Sequence, residues 1–211
     1  MNIQKQKIVL DFDDTMVKSS EQIIRMLNKK YGLNKTIEDL KDWSYSSIYP
    51  KITNAEIQEL YSSIEFFNQV EWNIGVQEFL IKFNNEYEFI ICSKGSKQNL
   101  FLKELFLNQH MSKMHIQDWT FIGLELNDET NCELNKSCID FSNCIFAIDD
   151  NTNALLSINV PKKILIKNYA DYYWNEIPTN QEDLYVVNTF DDLTEMCEFD
   201  IKLRNEGIYI G

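Results

Sequence analysis

The sequence has few basic residues, only two histidines and no long apolar run. Lysine and arginine total 20 against 33 aspartate and glutamate residues, which gives a formal net charge of −13 at pH 7. A protein that binds polymeric nucleic acid needs a basic surface, so this balance argues against such a partner. The apolar stretches are shorter than the roughly 20 residues that cross a bilayer, so we expect no membrane association.

The cysteines point to no disulfide or metal site, and glycine and proline are scarce. The five cysteines include no Cys-x-x-Cys pair and have no histidine at ligand spacing, so neither a disulfide framework nor a zinc site is predicted. Six glycines and three prolines are too few for a flexible linker. With a polar start and no apolar signal region, the 211-residue chain is expected to be a cytoplasmic protein with one main core.

The first informative segment is an apolar run, residues 7–10, that stops at Asp11 and Asp13. Uninterrupted aliphatic residues are typical of a central parallel strand that is buried on both faces. Open α/β sheets bind ligands at the carboxyl ends of such strands, where two adjacent carboxylates require a compensating cation. Mg²⁺ prefers oxygen ligands and commonly joins carboxylates to a phosphate, so phosphate chemistry is the first hypothesis. The alternative is a turn with a helix cap.

A second strand of the same kind, residues 144–148, runs into Asp149 and Asp150. Two buried strands that both end in carboxylates are hard to explain as turns. The second acidic strand end therefore favours a cation site over the turn explanation. The sequence does not decide whether Asp149 or Asp150 contacts the ion directly.

Further strands are predicted near residues 87–93, 119–123, 163–166 and 185–187, with helical patterns near residues 75–83, 98–108 and 191–197. This alternation predicts an α/β fold with a Rossmann-like, doubly wound parallel sheet. Residues 17–74 show helical periodicity and capping signals but no strand, which predicts a small helical cap inserted after the first strand. The core would then comprise residues 1–16 and 75–211.

The pattern Asp11-x-Asp13-x-Thr15 after a buried strand resembles motif I of the haloacid dehalogenase (HAD) superfamily. The resemblance implies that Asp11 is a nucleophile that becomes phosphorylated and that Asp13 is the acid and base. Asp149 and Asp150 occupy the place of motif IV, which completes the Mg²⁺ shell. Thr15 belongs to the predicted phosphate-binding residues. The resemblance thus implies a Mg²⁺-dependent phosphatase.

Motifs II and III are shorter and less specific. Ser93 stands where motif II has a hydroxyl residue that holds the phosphoryl group, and Lys94 and Gly95 follow in the same loop. Motif III is a lysine that screens charge near the nucleophile. Lys103 is the first choice because its segment is similar to that after motif II in the deoxyribonucleotidase branch. Three other lysines compete for this role: Lys94, Lys97 and Lys136.

Within the superfamily, the chain is most similar to the 5′(3′)-deoxyribonucleotidases. The similarity rests on Phe66-Phe67 before Gly75, on residues 91–93 and on residues 148–153, whereas residues 94–96 depart from it. It implies a nucleoside monophosphate as substrate, with Phe66 or Phe67 against the base, and Trp43 could stack on a planar group. The alternatives are another small phosphate ester, such as a sugar phosphate or phosphoglycolate, and a silent nucleotide-binding module. The oligomeric state is open, a homodimer included.

Overall fold

A single sheet of six strands organises the protein. The computed structural model describes residues 5–41, 45–126, 135–168, 173–177 and 183–206, without the side chains of residues 173, 204 and 205. The strands are β1 (Gln6–Leu10), β2 (Tyr87–Gly95), β3 (Trp119–Glu125), β4 (Cys144–Asp149), β5 (Lys162–Ile166) and β6 (Leu184–Val187). All pairings are parallel in the order β3-β2-β1-β4-β5-β6. The predicted α/β class with a Rossmann-like parallel sheet is confirmed.

The order of the strands reverses at β1. Leu10 at the end of β1 pairs with Ile91 of β2 on one side and with Ile148 of β4 on the other. In open α/β sheets the crevice for a ligand forms outside the carboxyl ends of the strands at this reversal. The residues that follow β1 and β4, and those at the end of β2, therefore come together.

The helices flank the sheet and fill the segment between β1 and β2. They are α1 (Ser19–Tyr31), α2 (Asn54–Tyr61), α3 (Ile64–Gln69), α4 (Val76–Phe83), α5 (Lys97–Lys113), α6 (Thr152–Ser157) and α7 (Phe190–Asn205). Short 3₁₀ helices span Ile37–Asp39, Lys136–Cys138 and Tyr173–Asn175. None of the described helices is long and apolar enough to cross a membrane.

Residues 17–74, called the insertion below, contain α1, α2 and α3. An antiparallel bridge between Val17 and Trp72 joins the two ends of the insertion. Helix α1 buries Ile23 and Leu27, and it ends at Gly32, whose φ of 64° permits the left-handed cap. The exact division of the chain into core and cap stays a prediction.

Both faces of the sheet are buried. In β1, Ile8 and Leu10 pack into the larger apolar cluster, which α1, α4, α5 and α7 help to build, whereas Val9 packs into a second cluster with Leu155 of α6. Successive side chains of a strand point to opposite faces, so the alternation places helices on both sides. This explains why residues 8–10 of β1 are apolar without alternation up to the point where the chain leaves the sheet.

Candidate active site

Three aspartates converge where β1 and β4 end. Asp11 follows β1, Asp149 ends β4 and Asp150 comes next. The backbone N–H of Asp11 donates to the carbonyl of Ile148 at 2.9 Å, so the two strand ends are held side by side. One carboxylate oxygen from each aspartate lies within 4.8 Å of the others. The two acidic strand ends that the sequence singled out thus form one cluster.

The turn after β1 is fixed from several directions. Asp14 has a φ of 51°, a left-handed conformation that aspartate adopts more readily than most residues, and its carboxylate accepts hydrogen bonds from the N–H and hydroxyl of Ser20. The amide of Asn73 donates to the carbonyls of Asp14 and Thr15 at 3.0 and 2.9 Å. Asn168 donates to the same two carbonyls at 2.6 and 3.2 Å. The backbone of this turn is therefore held on both sides.

Thr15 links the two acidic strand ends from behind. Its side chain is fully buried, and its Oγ1 accepts a hydrogen bond from the N–H of Asp150 at 3.0 Å. The indole of Trp174 donates to the Asp150 carboxylate at 2.9 Å. Neither Thr15 nor Trp174 is among the residues that line the cavity described below. The structure thus places Thr15 under Asp150 rather than at the phosphate position expected from the sequence.

Lys136 bonds to Asp11, the aspartate at the end of β1. Its Nζ donates to Asp11 Oδ1 at 2.6 Å and to Asp149 Oδ2 at 2.5 Å, and the residue is buried. Although burial opposes the charge of Lys136, the carboxylates of Asp11 and Asp149 raise its pKa above the usual value. Lys136 therefore stays protonated between these two strand ends.

Lys103 bonds to a different carboxylate. Its ammonium group donates to Asp13 Oδ2, to Ser93 Oγ at 2.8 Å and to the carbonyl of Lys94 at 3.1 Å. The side chain is only 1% exposed. The sequence favours Lys103 for the position beside Asp11, whereas the hydrogen bonds of the structure place Lys136 beside Asp11 and Lys103 beside Asp13.

The aspartate cluster carries an excess of negative charge. Burial raises the pKa of Asp11 to about 7, against the lowering effect of Lys136. Burial, together with the charge of Asp149, raises the pKa of Asp150 well above its usual value. Buried carboxylate oxygens this close together fit a hard divalent cation such as Mg²⁺, which would relieve their repulsion. Asp11, Asp149 and Asp150 are the residues that would hold it.

A cavity of about 770 Å³ opens in front of these side chains. Asp11, Asp13, Ser93, Lys94 and Gly95 line its floor. The remaining lining includes Lys103, Lys136, Asp149 and Asp150 from the site, the insertion residues Tyr45, Ile57, Gln58 and Tyr61, and four polar residues outside the insertion, Asn135, Asn151, Asn153 and Ser157. The cavity therefore joins the acidic strand ends to the insertion.

The wall from the insertion is neutral among its described residues. The hydroxyls of Tyr45 and Tyr61 are hydrogen-bonded at 2.9 Å, and Tyr45 also donates to Ser20 Oγ at 3.1 Å. Burial raises the pKa of both phenols, so each keeps its proton at neutral pH. This wall offers apolar surface and hydrogen bonds but no charge to a substrate.

The paired phenylalanines pack away from the cavity. Phe66 is fully buried, and its ring lies 5.0 Å from that of Phe67 in an edge-to-face contact. Phe67 in turn packs near Phe12 and Phe106, with ring centroids 6.5 and 6.1 Å away. The structure does not bring Phe66 or Phe67 to the cavity wall. Trp43 lies outside the described residues.

Sequence reasoning missed the role of Asn99. The amide of Asn99 donates to the carbonyl of Tyr61 at 2.6 Å and so joins α5 to the insertion. A side chain on Gly95 would collide with the Asn99 amide, which explains why glycine stands there. The tetrapeptide Ser96–Asn99 carries a capping pattern, since Ser96 Oγ accepts from the N–H of Asn99 at 3.2 Å. That pattern predicts the start of a helix but not the contact with the insertion.

Comparison with solved structures identifies the fold. A haloacid dehalogenase-like hydrolase from Streptococcus pneumoniae has a TM-score of 0.58 at 14% identity, over 91% of this chain and 98% of the other. D,D-heptose 1,7-bisphosphate phosphatase from B. bronchiseptica, solved with magnesium and phosphate, gives 0.56 at 8% identity, over 92% and 99%. A HAD-superfamily hydrolase of subfamily IA from Geobacter sulfurreducens gives 0.53 at 11% identity, over 91% and 96%. The chain thus has the fold of HAD-like hydrolases.

The sequence comparisons give no further information. No protein-family model matches the sequence, and no curated protein matches it. At these low identities the structural likeness defines the fold alone. What the site does has to be argued from its own residues.

Proposed function

We propose that the protein hydrolyses phosphate monoesters with the help of Mg²⁺ and through a phosphorylated Asp11. One observation carries the proposal: Asp11 lines a cavity, bonds to Lys136 and lies beside the carboxylates of Asp149 and Asp150, with Asp13 two positions along the chain. A carboxylate can act as a nucleophile in this way when its own charge and that of the phosphate are compensated.

The reaction has two balanced steps. An oxygen of Asp11 attacks phosphorus, the ester P–O bond breaks, and a proton from Asp13 passes to the departing oxygen to give the free alcohol. Water then attacks the phosphorus of the aspartyl-phosphate and gives a proton back to Asp13. The bond between phosphorus and Asp11 breaks, which releases inorganic phosphate and restores the carboxylate.

The neighbouring residues bind and orient the phosphoryl group. Lys136 keeps the Asp11 carboxylate in place and offsets the charge that gathers around it, the role that the sequence analysis first gave to Lys103. Ser93, fully buried at the end of β2, supplies a hydroxyl to a phosphoryl oxygen. Mg²⁺, when bound, supplies positive charge to the phosphoryl oxygens.

A nucleoside monophosphate is the substrate that we propose. Support comes from the neutral cavity wall of the insertion, where Ile57 and Tyr61 offer apolar and aromatic surface for a base and Gln58 offers an amide for its polar edge. The volume of about 770 Å³ lies within the range of small-molecule sites.

A sugar phosphate is the second candidate. Outside the insertion, the cavity is lined by Asn135, Asn151, Asn153 and Ser157, whose amides and hydroxyl can bond to sugar hydroxyls. A heptose bisphosphate phosphatase is also among the proteins of similar fold. The two candidates differ in whether the substrate contacts mainly the insertion or mainly this polar side.

The decisive experiment measures phosphate release from a panel of esters. The panel contains deoxy- and ribonucleoside monophosphates, sugar phosphates, phosphoglycolate and p-nitrophenyl phosphate, each with Mg²⁺ and with EDTA. Asp11→Asn is run beside the wild type, with circular dichroism to verify folding. We expect Mg²⁺-dependent release that favours nucleotides and falls by at least about 10³-fold in Asp11→Asn.

Each other outcome has a definite meaning. Release from sugar phosphates with little release from nucleotides would retain the phosphatase and replace its substrate. Substantial activity of Asp11→Asn would remove Asp11 as the nucleophile. No release from any ester by the folded wild type would leave a nucleotide-binding module without catalysis as the better account.

A further inference from the structure

Lys103 is a buried cation whose three donors are all used. It lies on α5, one helical turn after Asn99, on the face that points to the end of β2. Its ammonium group bonds to the Asp13 carboxylate, the Ser93 hydroxyl and the Lys94 carbonyl. An ammonium group pays a large desolvation cost in a 1% exposed position unless every proton has a partner, and this arrangement supplies all three.

The two buried lysines of the site form ion pairs with different carboxylates. Lys136 bonds to Asp11 and Asp149, while Lys103 bonds to Asp13. In the proposed reaction Asp11 carries the phosphoryl group and Asp13 moves the proton. The task of Lys136 is therefore tied to the nucleophile, and that of Lys103 to the proton transfer.

Lys103 fixes the orientation of the Asp13 carboxylate. The other oxygen of Asp13, Oδ1, accepts a hydrogen bond from the Ser19 hydroxyl at 2.7 Å. With Lys103 on Oδ2, both oxygens are held, although the Asp13 side chain is 23% exposed and lines the cavity. General acid catalysis requires the donor to lie within hydrogen-bond reach of the leaving oxygen, so a fixed carboxylate matters most when the leaving group needs a proton.

The same lysine also orients the Ser93 hydroxyl. Because Ser93 Oγ accepts a hydrogen bond from Lys103, its own proton is free to point to another acceptor. In the structure this proton is donated to Asp13 Oδ2 in a long hydrogen bond of 3.4 Å. A phosphoryl oxygen in the cavity would be the better acceptor.

We propose that Lys103 is a positioning residue that sets the Asp13 carboxylate for proton transfer to the leaving group and turns the Ser93 hydroxyl to the phosphoryl group. This rests on the proposed phosphatase function. It predicts an effect that depends on the leaving group, which a merely structural lysine would not have.

The test compares two esters in the Lys103→Met variant. Ethyl phosphate has a poor leaving group that needs a proton, whereas p-nitrophenyl phosphate has a good one that does not. We expect kcat/KM to fall about 10²-fold more for ethyl phosphate than for p-nitrophenyl phosphate, in line with the usual size of general acid catalysis. Lys113→Met, at the exposed end of the same helix, is the matched control and should keep the wild-type ratio of the two substrates.

A double variant locates the effect in Asp13. Adding Lys103→Met to Asp13→Asn should leave the ratio of the two substrates unchanged, since residues that act as one unit are not additive. An equal loss for both esters in a folded Lys103→Met variant would overturn the proposal. So would a further change of the ratio in the double variant.

Two remaining outcomes are also decisive. If Lys103→Met does not fold, Lys103→Gln takes its place, and its two amide donors should restore part of the preference for proton-requiring esters. An unfolded Lys103→Gln would assign Lys103 to stability and overturn the proposal. Failure of the wild type to release phosphate from these two esters and from every ester of the panel would instead contradict the proposed function itself.

Discussion

The ends of the strands and the insertion face each other across one cavity but differ in chemistry. The strand ends present buried charges that bond to one another, such as Asp11 with Lys136 and Asp13 with Lys103. The described wall of the insertion presents neutral side chains, with Tyr45 and Tyr61 joined by their hydroxyls. Under the proposed function, the strand ends would carry the reaction and the insertion would contact a nucleoside.

The insertion also bonds to the start of α5. Ser62, at the end of α2, bonds to Ser96 through their hydroxyls at 2.9 Å, and its carbonyl accepts from Gln98 Nε2 at 2.9 Å. Asn99 bonds to the carbonyl of Tyr61 in the same place. The start of α5, which follows β2, thus holds the insertion over the cavity.

The largest expected effect falls on the strand ends. Lys136→Met removes the cation between Asp11 and Asp149, so we expect kcat to fall by about 10²- to 10³-fold because developing charge is no longer compensated. The measurement is steady-state phosphate release. Lys29→Met removes an exposed lysine from the insertion and is expected to leave kcat within about twofold. Similar losses of kcat in both variants would contradict a division of roles between the strand ends and the insertion.

Stability without metal should fall as the pH rises. The pKa of Asp11 and of Asp14 is raised by burial from 3.8 to about 7, so between about pH 4 and 7 the folded protein binds more protons than the unfolded chain. This contribution is present at low pH and is lost as the pH rises through 7. We expect a lower Tm at pH 8 than at pH 5.5 in EDTA, and recovery with Mg²⁺ at pH 8.

Thermal unfolding followed by circular dichroism measures this dependence. Asp11→Asn removes one of the two carboxyls and should flatten the difference in Tm between the two pH values. A Tm in EDTA that increases from pH 5.5 to pH 8 would contradict the account. A missing response to Mg²⁺ would count against the proposed metal site.

The aromatic pair of α3 separates packing from recognition. Phe67→Ala removes a ring that packs near Phe12 and Phe106, and we expect a loss of about 3 kcal/mol in the free energy of unfolding. The relative rates for nucleotides with different bases should stay unchanged. Urea unfolding and the ester panel measure the two effects. A changed base preference with an unchanged free energy of unfolding would instead support contact between Phe67 and the base of the substrate.

The smallest effect is expected where the two regions touch. Ser62→Ala removes the hydroxyl that bonds to Ser96 and should cost about 1 kcal/mol of stability. We expect KM to rise a few-fold while kcat stays nearly constant, because the bond holds the insertion but touches no reacting atom. Ser157→Ala changes a polar residue of the cavity outside the insertion and tests whether KM and kcat respond differently there. A fall in kcat with unchanged KM would place Ser62 in the chemistry.

The sequence predicts the sheet well because buried parallel strands have a distinctive pattern. The apolar runs that became β1 and β4 are uninterrupted and stop at aspartates. The capping box at Thr53 and Glu56 is also present, with hydrogen bonds of 3.0 and 3.2 Å between them. The short helix α6 was not foreseen, since six residues are too few for a helical period to show.

The arrangement of the lysines could not be read from the chain. Lys103 and Lys136 are both buried in the site, and which carboxylate each reaches depends on how a helix and a 3₁₀ turn pack beside the strand ends. The same holds for Phe66 and Phe67, since an aromatic pair on a helix is equally suited to a core and to a binding wall. The acidic strand ends can be predicted from local sequence patterns. Which side chains contact them depends on the packing of segments that are distant in the chain.

The bridge between Val17 and Trp72 has a consequence for how such a protein can change. Because the two ends of the insertion pair with each other, the insertion joins the sheet through the same short junction, whatever the length of the segment between its ends. The entropy of closing a loop grows only slowly with its length, so a longer or shorter insertion costs little at this point. An exchange of the segment between Val17 and Trp72 would also exchange Ser19 and Ser20, so a chimera keeps the proposed reaction only where the new segment supplies the same hydrogen bonds to Asp13 and Asp14.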